Sequence, residues 1–586
     1  MSHKFVVIDE IMEQMEAAKS GIVPGSVTQA VVSGIQNVPS NIKQATIGGA
    51  AAASYTTFPL SPIVKNCCLD KSYLNFEFDV NFNMTFEGLD NSSTYKIPFY
   101  LGLRDNASIF NQLQILIENS AIWTTTYQRE ESVLSYNSLP ETEIRGNNQY
   151  ASIEKMREGK YCPMKRYMAT VTTDGSGNGK TVLIKQHFKI TIDINRLTPL
   201  LSNLHFTTPH MGNLRLKVFM QEFEKCLFLC PDYNYFLNIK PSGADTPEKI
   251  MEVLDQPFLN QYWQFYPFYK FTGTGAANDA IPFFAYNTTS QRIKRPSNVI
   301  ISNPPADVSF MSFDNGGIAE IVQTCFDIKD EEYQRLTDYF ASLGSVIIPS
   351  QTWSTNVFNN SQITGKDKST FPQTQIGNIG GYNLDFISVW THPNAHPCTF
   401  TNEYLKDIQL ILDGRPINPI PYQYVSDKCV VDTTQAIIDT DHEEINHDYI
   451  SSLTLFNITD TNQYIDKPLT EYYGDGQANK GINRNYIANP NTFALNFSTN
   501  LPDAFHSGAC ILENSNRQAV LRYNAQSAID SNANLAHSSF PMLINHKSDD
   551  IVSGFSSFCD CCIVLTYDPA RQTCFDGQLS WAAPYA

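Results

Sequence analysis

The sequence predicts an all-β chain built of two tandem β-sandwiches, and three observations carry that expectation. The first is period-two alternation: Leu74, Phe76, Phe78, Val80, Phe82, Met84 and Phe86 are interleaved with Asn75, Glu77, Asp79, Asn81, Asn83 and Thr85. Such a run buries one face and wets the other, as an antiparallel strand does. The second is punctuation. Short apolar runs are separated by turn dipeptides at Asp413-Gly414, Asp475-Gly476 and Asp576-Gly577, without the regular strand and helix alternation of a parallel sheet. The third is length, since 586 residues exceed what one hydrophobic core spans, about 250 to 300.

At the N-terminus, Ile8, Ile11, Met12 and Met15 fall at helical spacing and predict a short amphipathic helix. The Gly-, Pro-, Ser- and Ala-rich stretch from Gly21 to Ser54 then reads as flexible, so residues 1–59 form an expected arm. Its first fifty residues set Lys4, Lys19 and Lys43 against Asp9, Glu10, Glu13 and Glu16, which is not a polybasic packaging tail.

The first sandwich is expected over 60–230. After the Leu74–Phe86 run, alternation returns at Phe188, Ile190, Ile192 and Ile194 and at Leu214, Leu216, Val218 and Met220. Ile109 to Ile117 fits either a strand or a short helix. Residues 231–295 lose the pattern and crowd Phe258, Tyr262, Trp263, Phe265, Tyr266, Phe268, Tyr269 and Phe271, which reads as a connector with an inserted lobe. The second sandwich, 296–586, is expected to place strands at Val299–Ile301, Val308–Phe310, Phe386–Trp390, Ile408–Leu412, Leu453–Phe456, Phe493–Phe497 and Cys561–Tyr567, with a helix near Asp330–Ala341.

Composition bounds the function. Hydrophobic residues make up 42% and aromatics 12%, which excludes disorder. Charged residues are only 17%, against about 25% in ordinary globular chains, so the polar surface is largely Asn, Gln, Ser and Thr. A formal charge of −18 opposes a sequence-independent grip on phosphate backbones. No run approaches the roughly 18 apolar residues of a spanning helix. The acidic start, without a basic n-region or an apolar h-region, does not read as a secretory signal, so synthesis in a reducing cytosol is expected. Thirteen scattered Cys, including the neighbours Cys67-Cys68 and Cys561-Cys562, fit small buried hydrophobes better than a disulfide framework.

Each motif that might carry chemistry has a plainer reading. Gly175-Ser-Gly-Asn-Gly-Lys-Thr181 lacks the first glycine of a phosphate-binding loop, where Asp174 stands, and leads into a strand; a hairpin tip is expected. His442 and His447 are five apart and diverge on a helix. His392, His396 and Cys398 are interrupted by Pro393 and Pro397. Cys559, Cys561, Cys562 and Cys574 fit alternating burial better than zinc ligation. Gly273-Thr-Gly275 lacks the third glycine of a dinucleotide fingerprint. Asn91-Ser-Ser93 and Asn457-Ile-Thr459 match the glycan acceptor pattern but need a secretory route. No catalytic, cofactor-binding or metal residue is assigned, and no cofactor is expected. The aromatic block 258–271 holds one cation, Lys270, where a nucleic-acid platform needs a cationic groove; it motivates a carbohydrate-binding or carbohydrate-processing sandwich as the alternative function, with Trp263 as its test position.

Four segments carry a resemblance: NASIFNQLQILIENSAIW (106–123), FKITIDINRLTPLLSNLHFTTPHMGNLRLKVFM (188–220), FTNEYLKDIQLILDGRPINPIPY (400–422) and NTFALNFSTNLPDAFHSGACI (491–511). Together they resemble the double jelly-roll major capsid proteins of double-stranded DNA viruses, especially the polinton-like virus and virophage group. The resemblance implies two tandem jelly rolls, a homotrimer forming a pseudo-hexagonal capsomer, and an icosahedral shell in the virion. It also implies penton and minor capsid proteins as partners and no enzymatic activity. Genome contact would fall to other proteins or to an inner membrane.

Overall fold

The computed structural model describes residues 21–37, 55–60, 66–103, 109–126, 164–175, 181–198, 200–201, 204–221, 227–231, 235, 266–267, 283–294, 296, 298–302, 318–360, 370–380, 383–393, 405–412, 414–416, 422–423, 492–496, 510–511, 516–526 and 551–581. In chain order the first strands are β1 (Thr28–Ser33), β2 (Ile35–Asn37), β3 (Tyr55–Pro59), β4 (Asn66–Glu87), β5 (Thr94–Leu103), β6 (Phe110–Ile117) and β7 (Ser120–Thr126). They are followed by β8 (Met164–Thr172), β9 (Val182–Asp193), β10 (Phe206–Thr207), β11 (Leu214–Met220), β12 (Leu227–Pro231), β13 (Tyr266–Pro267), β14 (Ala285–Asn287), β15 (Ile293–Lys294), β16 (Asn298–Ser302) and β17 (Ile318–Phe326). Helix α1 (Asp330–Leu343) leads into β18 (Ser345–Asn360), β19 (Thr370–Gly380), β20 (Asn383–Pro393), β21 (Leu405–Leu412), β22 (Arg415–Pro416) and β23 (Tyr422–Gln423). The last are β24 (Thr492–Asn496), β25 (Cys510–Ile511), β26 (Asn516–Gln526), β27 (Ile551–Asp568) and β28 (Thr573–Trp581).

These strands form five sheets, and every pairing among them is antiparallel. The first is organised on β4, whose 22 residues span about 70 Å at strand rise. Tyr73 to Glu77 pair with β17 on one edge and β9 on the other; β16 continues the β17 edge and β10 the β9 edge. The second sheet runs β2-β3-β11-β6-β7, and the third is built on β5, with β8 on one edge and β12 and β14 on the other.

The predicted alternation explains the packing. Leu74, Phe76, Phe78, Val80, Phe82, Met84 and Phe86 are all buried. Phe76 meets Phe58 of β3 edge-on at 5.8 Å and Phe110 of β6 at 5.8 Å, joining the first and second sheets. Further along β4, Phe86 and Phe99 both pack on Phe283, at 6.0 and 5.9 Å, joining the first and third. Each fully buried aromatic contributes about 1.5 to 3 kcal/mol by area, with about 0.5 to 1.5 more per ring pair. The other first-half runs behave as expected: Phe188, Ile190, Ile192, Ile194, Leu214, Leu216, Val218 and Met220 face inward, and Ile109–Ile117 resolves as strand β6.

In the second half, β18-β27-β20-β24 form a fourth sheet, with β28 beside β27, and β19-β26-β21-β22 a fifth. Helix α1 matches its sequence signal. Asp330, Glu331 and Glu332 occupy its first turn, where carboxylates suit the helix dipole, and Gly344 ends it in the left-handed conformation. Val308–Phe310, Leu453–Phe456 and Asp475-Gly476 lie outside the described residues.

Four sequence expectations are corrected. Residues 21–37 are not a flexible arm: β1 pairs along its whole length with β17, and β2 with β3. Thr28-Gln-Ala-Val-Val-Ser33 alternates weakly, but Val32 packs on the core and the ladder satisfies the backbone. The boundary at 296 also moves. β16 and β17 pair with β4, and β14 and β15 extend the sheet built on β5, so 283–326 completes the first sandwich. Of the expected hairpin tip Gly175–Thr181, residues 176–180 lie outside the described residues, and the flanking β8 and β9 pair with β5 and β4 in different sheets rather than with each other. Asp576-Gly577 is not a turn. Both lie in β28, where the missing side chain of Gly577 lets Leu565 and Ile122 come within 2.9 and 3.0 Å of where a Cβ would stand; the chain turns at 569–572 instead.

Candidate assembly surface and inter-sandwich junction

Among the described residues, β1 forms an edge of the first sheet. β1 pairs with β17 on one side only, and Val27, Val31 and Ile35 stand 57%, 60% and 69% exposed along it. β1 ends at Gly34, whose N–H donates to the Ala319 carbonyl, and the chain then enters the second sheet as β2. The same segment thus borders the first and second sheets. An open strand edge carrying apolar side chains is a template for pairing with another chain.

The outer face of the second sheet continues from this edge. Ile35, Thr57, Lys217 and Gln114 lie in one cross-strand row. The Lys217 ammonium sits 3.8 Å from the Tyr55 ring centroid and 4.7 Å from that of Phe219, a contact worth about 0.5 to 2 kcal/mol. Arg215 adds a second cation; strands β2, β3, β6, β7 and β11 contain no Asp or Glu, and Glu118 stands in the turn between β6 and β7. In a chain of formal charge −18 this is a locally cationic, amide- and aromatic-rich surface. At one end of the sandwich the charges differ. Asp90 accepts from Lys294 at 2.6 Å and from the Tyr95 hydroxyl at 2.7 Å, which together hold its carboxyl below the usual range.

A second constellation joins the two halves. Pro209–Met211 forms a 3₁₀ turn between β10 and β11, and it is gripped by α1 and the β27–β28 hairpin. His210 is fully buried there. Its ring lies 4.3 Å from Tyr333, 5.7 Å from Phe340 and 6.4 Å from Tyr567. The Thr337 hydroxyl donates to the Tyr333 carbonyl at 2.9 Å, so at 2.7 Å it accepts from His210 Nε2–H. That assigns the tautomer: Nδ1 is the acceptor, and it faces the Thr208 hydroxyl at 3.3 Å. Burial pulls the imidazole down to about 4, because the charged form loses its hydration. The Thr573 hydroxyl donates to the Pro209 carbonyl at 3.1 Å, and Ile122 of β7 rests against Gly577 of β28.

Among the described residues, no three His, Cys, Asp or Glu side chains converge on a metal position, and no helix is long and apolar enough to cross a membrane. Thr181 runs directly into β9, a strand where a phosphate site would need a helix. Cys559, Cys561, Cys562 and Cys574 are buried in or beside the β27 ladder, and burial pushes the Cys574 thiol up to about 12. His442, His447, His396, Cys398, Gly273, Gly275 and Asn457 lie outside the described residues. So does the aromatic block apart from Tyr266, which pairs beside β12. Sequence reading missed both the β1 edge and His210. The cue for the second was Pro209-His-Met-Gly212, a proline at a turn start closed by a glycine.

The class these features define is an all-β, tandem-sandwich chain with an open apolar edge and a buried junction. No protein-family model and no curated protein matches it. Among solved structures it is similar to the mavirus major capsid protein (8% identity, TM-score 0.44, covering 96% of this chain and 92% of that one). It is also similar to a chain of the Sputnik virophage (9%, 0.42, 95% and 88%) and to the Faustovirus major capsid protein (9%, 0.41, 96% and 98%). The architecture itself rests on the strand pairing and burial described above.

Proposed function

We propose that the chain is a structural major capsid protein, a double jelly roll that acts by self-assembly and catalyses nothing. One observation carries the reading: among the described residues the first sheet ends in β1, which pairs with β17 on one side only, and Val27 before it, Val31 within it and Ile35 after it in β2 are each more than half exposed. Such an edge is satisfied by a second copy of the chain. A charge-poor surface of amides and aromatics suits contacts that are covered in the assembled state. The buried junction supports the same reading, because a shell needs its two sandwiches held at one fixed angle.

The unit we propose is a homotrimer, with sandwiches of about 21–326 and 345–581 alternating around a pseudo-hexagonal capsomer, and the shell is icosahedral. Penton and minor capsid proteins and the virion as location belong to this proposal. Light scattering after size exclusion should report about 198 kDa, three times the 65.9 kDa chain. A stable 65.9 kDa monomer at micromolar concentration and neutral pH would refute it.

A further inference from the structure

The junction around His210 does more than join two sandwiches. Its turn belongs to the first, its helix follows the last strand of the first, and its hairpin is the far end of the second. The three meet on one imidazole, with Thr573 bonded to Pro209 across 364 residues of sequence. We propose that this interlock is an acid-opened latch: with a neutral imidazole the turn Pro209–Met211 stays clamped between α1 and the β27–β28 hairpin, and proton uptake by His210 releases it.

The geometry gives a second proton an acceptor but no counter-charge. With Nε2 donating to Thr337, the added proton falls on Nδ1, where the Thr208 hydroxyl oxygen at 3.3 Å can accept from it but carries no charge to balance it. The groups packed on the ring are Tyr333, Thr337 and Phe340 from α1, Tyr567 from β27, and Thr208 and Pro209 from its own turn. The nearest charged groups act elsewhere. Glu332 is paired with Arg335 at 2.7 Å, and Asp338 and Asp568 bear on Tyr567. None of these carboxylates hydrogen-bonds to His210. Cys574, behind Tyr567, is held neutral by burial. The aromatic faces of Tyr333, Phe340 and Tyr567 offer an imidazolium some cation–π attraction, but a desolvated charge with no counterion outweighs it.

The sign follows from which state binds the proton. In the closed latch His210 titrates near 4, and in the opened one near the ordinary 6.5. The opened form therefore takes up protons first as pH falls, and the closed form loses its advantage between those values. The opening equilibrium should rise by up to about tenfold per pH unit between those values, about 60-fold from pH 7 to 4.5 and about 300-fold in the limit of lower pH. Above 7 it is independent of pH.

The test is region-resolved hydrogen exchange on the full chain from pH 7 to 4.5, corrected for intrinsic exchange, on wild type and His210→Gln. Wild type should lose protection in 208–212, 330–343 and 566–576 on the stated slope, while 74–86 in β4 stays constant. His210→Gln, which can still donate to Thr337 but cannot ionise, should show no slope. A loss spread evenly over the chain, a flat wild-type profile, or the same slope in His210→Gln would overturn the proposal. Should His210→Gln fail to fold, the wild-type contrast between the junction and β4 decides the question by itself.

Discussion

Replacing Gly212 by alanine tests the junction most directly, with Gly344→Ala as its internal reference. Both glycines have positive φ. Gly344 sits at φ 65° and ψ 9°, an ordinary left-handed helix end, and an added Cβ would meet nothing within 4 Å. Its substitution costs only the backbone preference, about 1 to 2 kcal/mol. Gly212 sits at φ 73° and ψ −160°, a region almost confined to glycine, at about 1 to 3 kcal/mol for alanine. Its Cβ would also overlap the carbonyl oxygen of Cys574. That oxygen cannot swing aside cheaply, because Cys574 is paired with Tyr567 in the β27–β28 ladder. Overpacking against fixed backbone adds about 1 to 3 kcal/mol, for a total of about 2 to 6. With a urea m-value near 3 kcal/mol/M, the midpoint should fall by about 0.7 to 2 M for Gly212→Ala and by about 0.3 to 0.7 M for Gly344→Ala. Unfolding followed by intrinsic fluorescence supplies both numbers, since Trp123 is buried in β7 next to the junction. Equal shifts in the two variants would mean that the hairpin does not press on Gly212, and the interlock as described would be wrong.

Two further outcomes follow from burial and pairing. Among the described residues the buried Tyr567 hydroxyl has no hydrogen-bond partner, so Tyr567→Phe keeps the ring contacts and should leave stability unchanged or raise it by up to about 1 kcal/mol; a loss larger than that in a urea melt would show the hydroxyl to be bonded. Removing residues 1–37 strips β1 from β17 and β2 from β3 and uncovers Ile321, Val322 and Phe58, so the shortened chain should aggregate on size exclusion, whereas removing residues 1–20 should leave a soluble fold; an unchanged elution profile for the longer deletion would refute the assigned role of β1.

The faces of the strands were legible in the sequence, but their partners were not. Period two fixes which side of a strand is buried, as for Leu74 to Phe86, yet it is silent on which strand lies alongside. Val299 and Ile301 read as strand residues, but their place in the first sandwich is not legible, because nothing in the sequence of β16 names β4 as its neighbour. β1 was hidden for a different reason. At an edge, the outward face keeps Val27 and Val31, so the apolar and polar contrast that announces a half-buried strand is absent. The junction was illegible because its three parts are separated by more than 100 residues each and converge only in space. Asp576-Gly577 misled because the same dipeptide serves a turn and a close strand contact.

The pairing also orders events along the chain. Ser26 bonds to Asp327, 301 residues later, so the N-terminal strand cannot close the first sandwich until β17 exists. Thr573 reaches back 364 residues to Pro209, so the junction closes only when the last hairpin is made. Contacts this distant are slow to form, since loop closure precedes their reward. Until β17 arrives, β4 presents a long unpaired edge of alternating phenylalanines, the type of surface that misassembles during synthesis. The exposed row on β1 takes its final place only in a chain that has already reached β17. A surface that exists only on chains extended past β17 restricts association to copies whose first sandwich is finished.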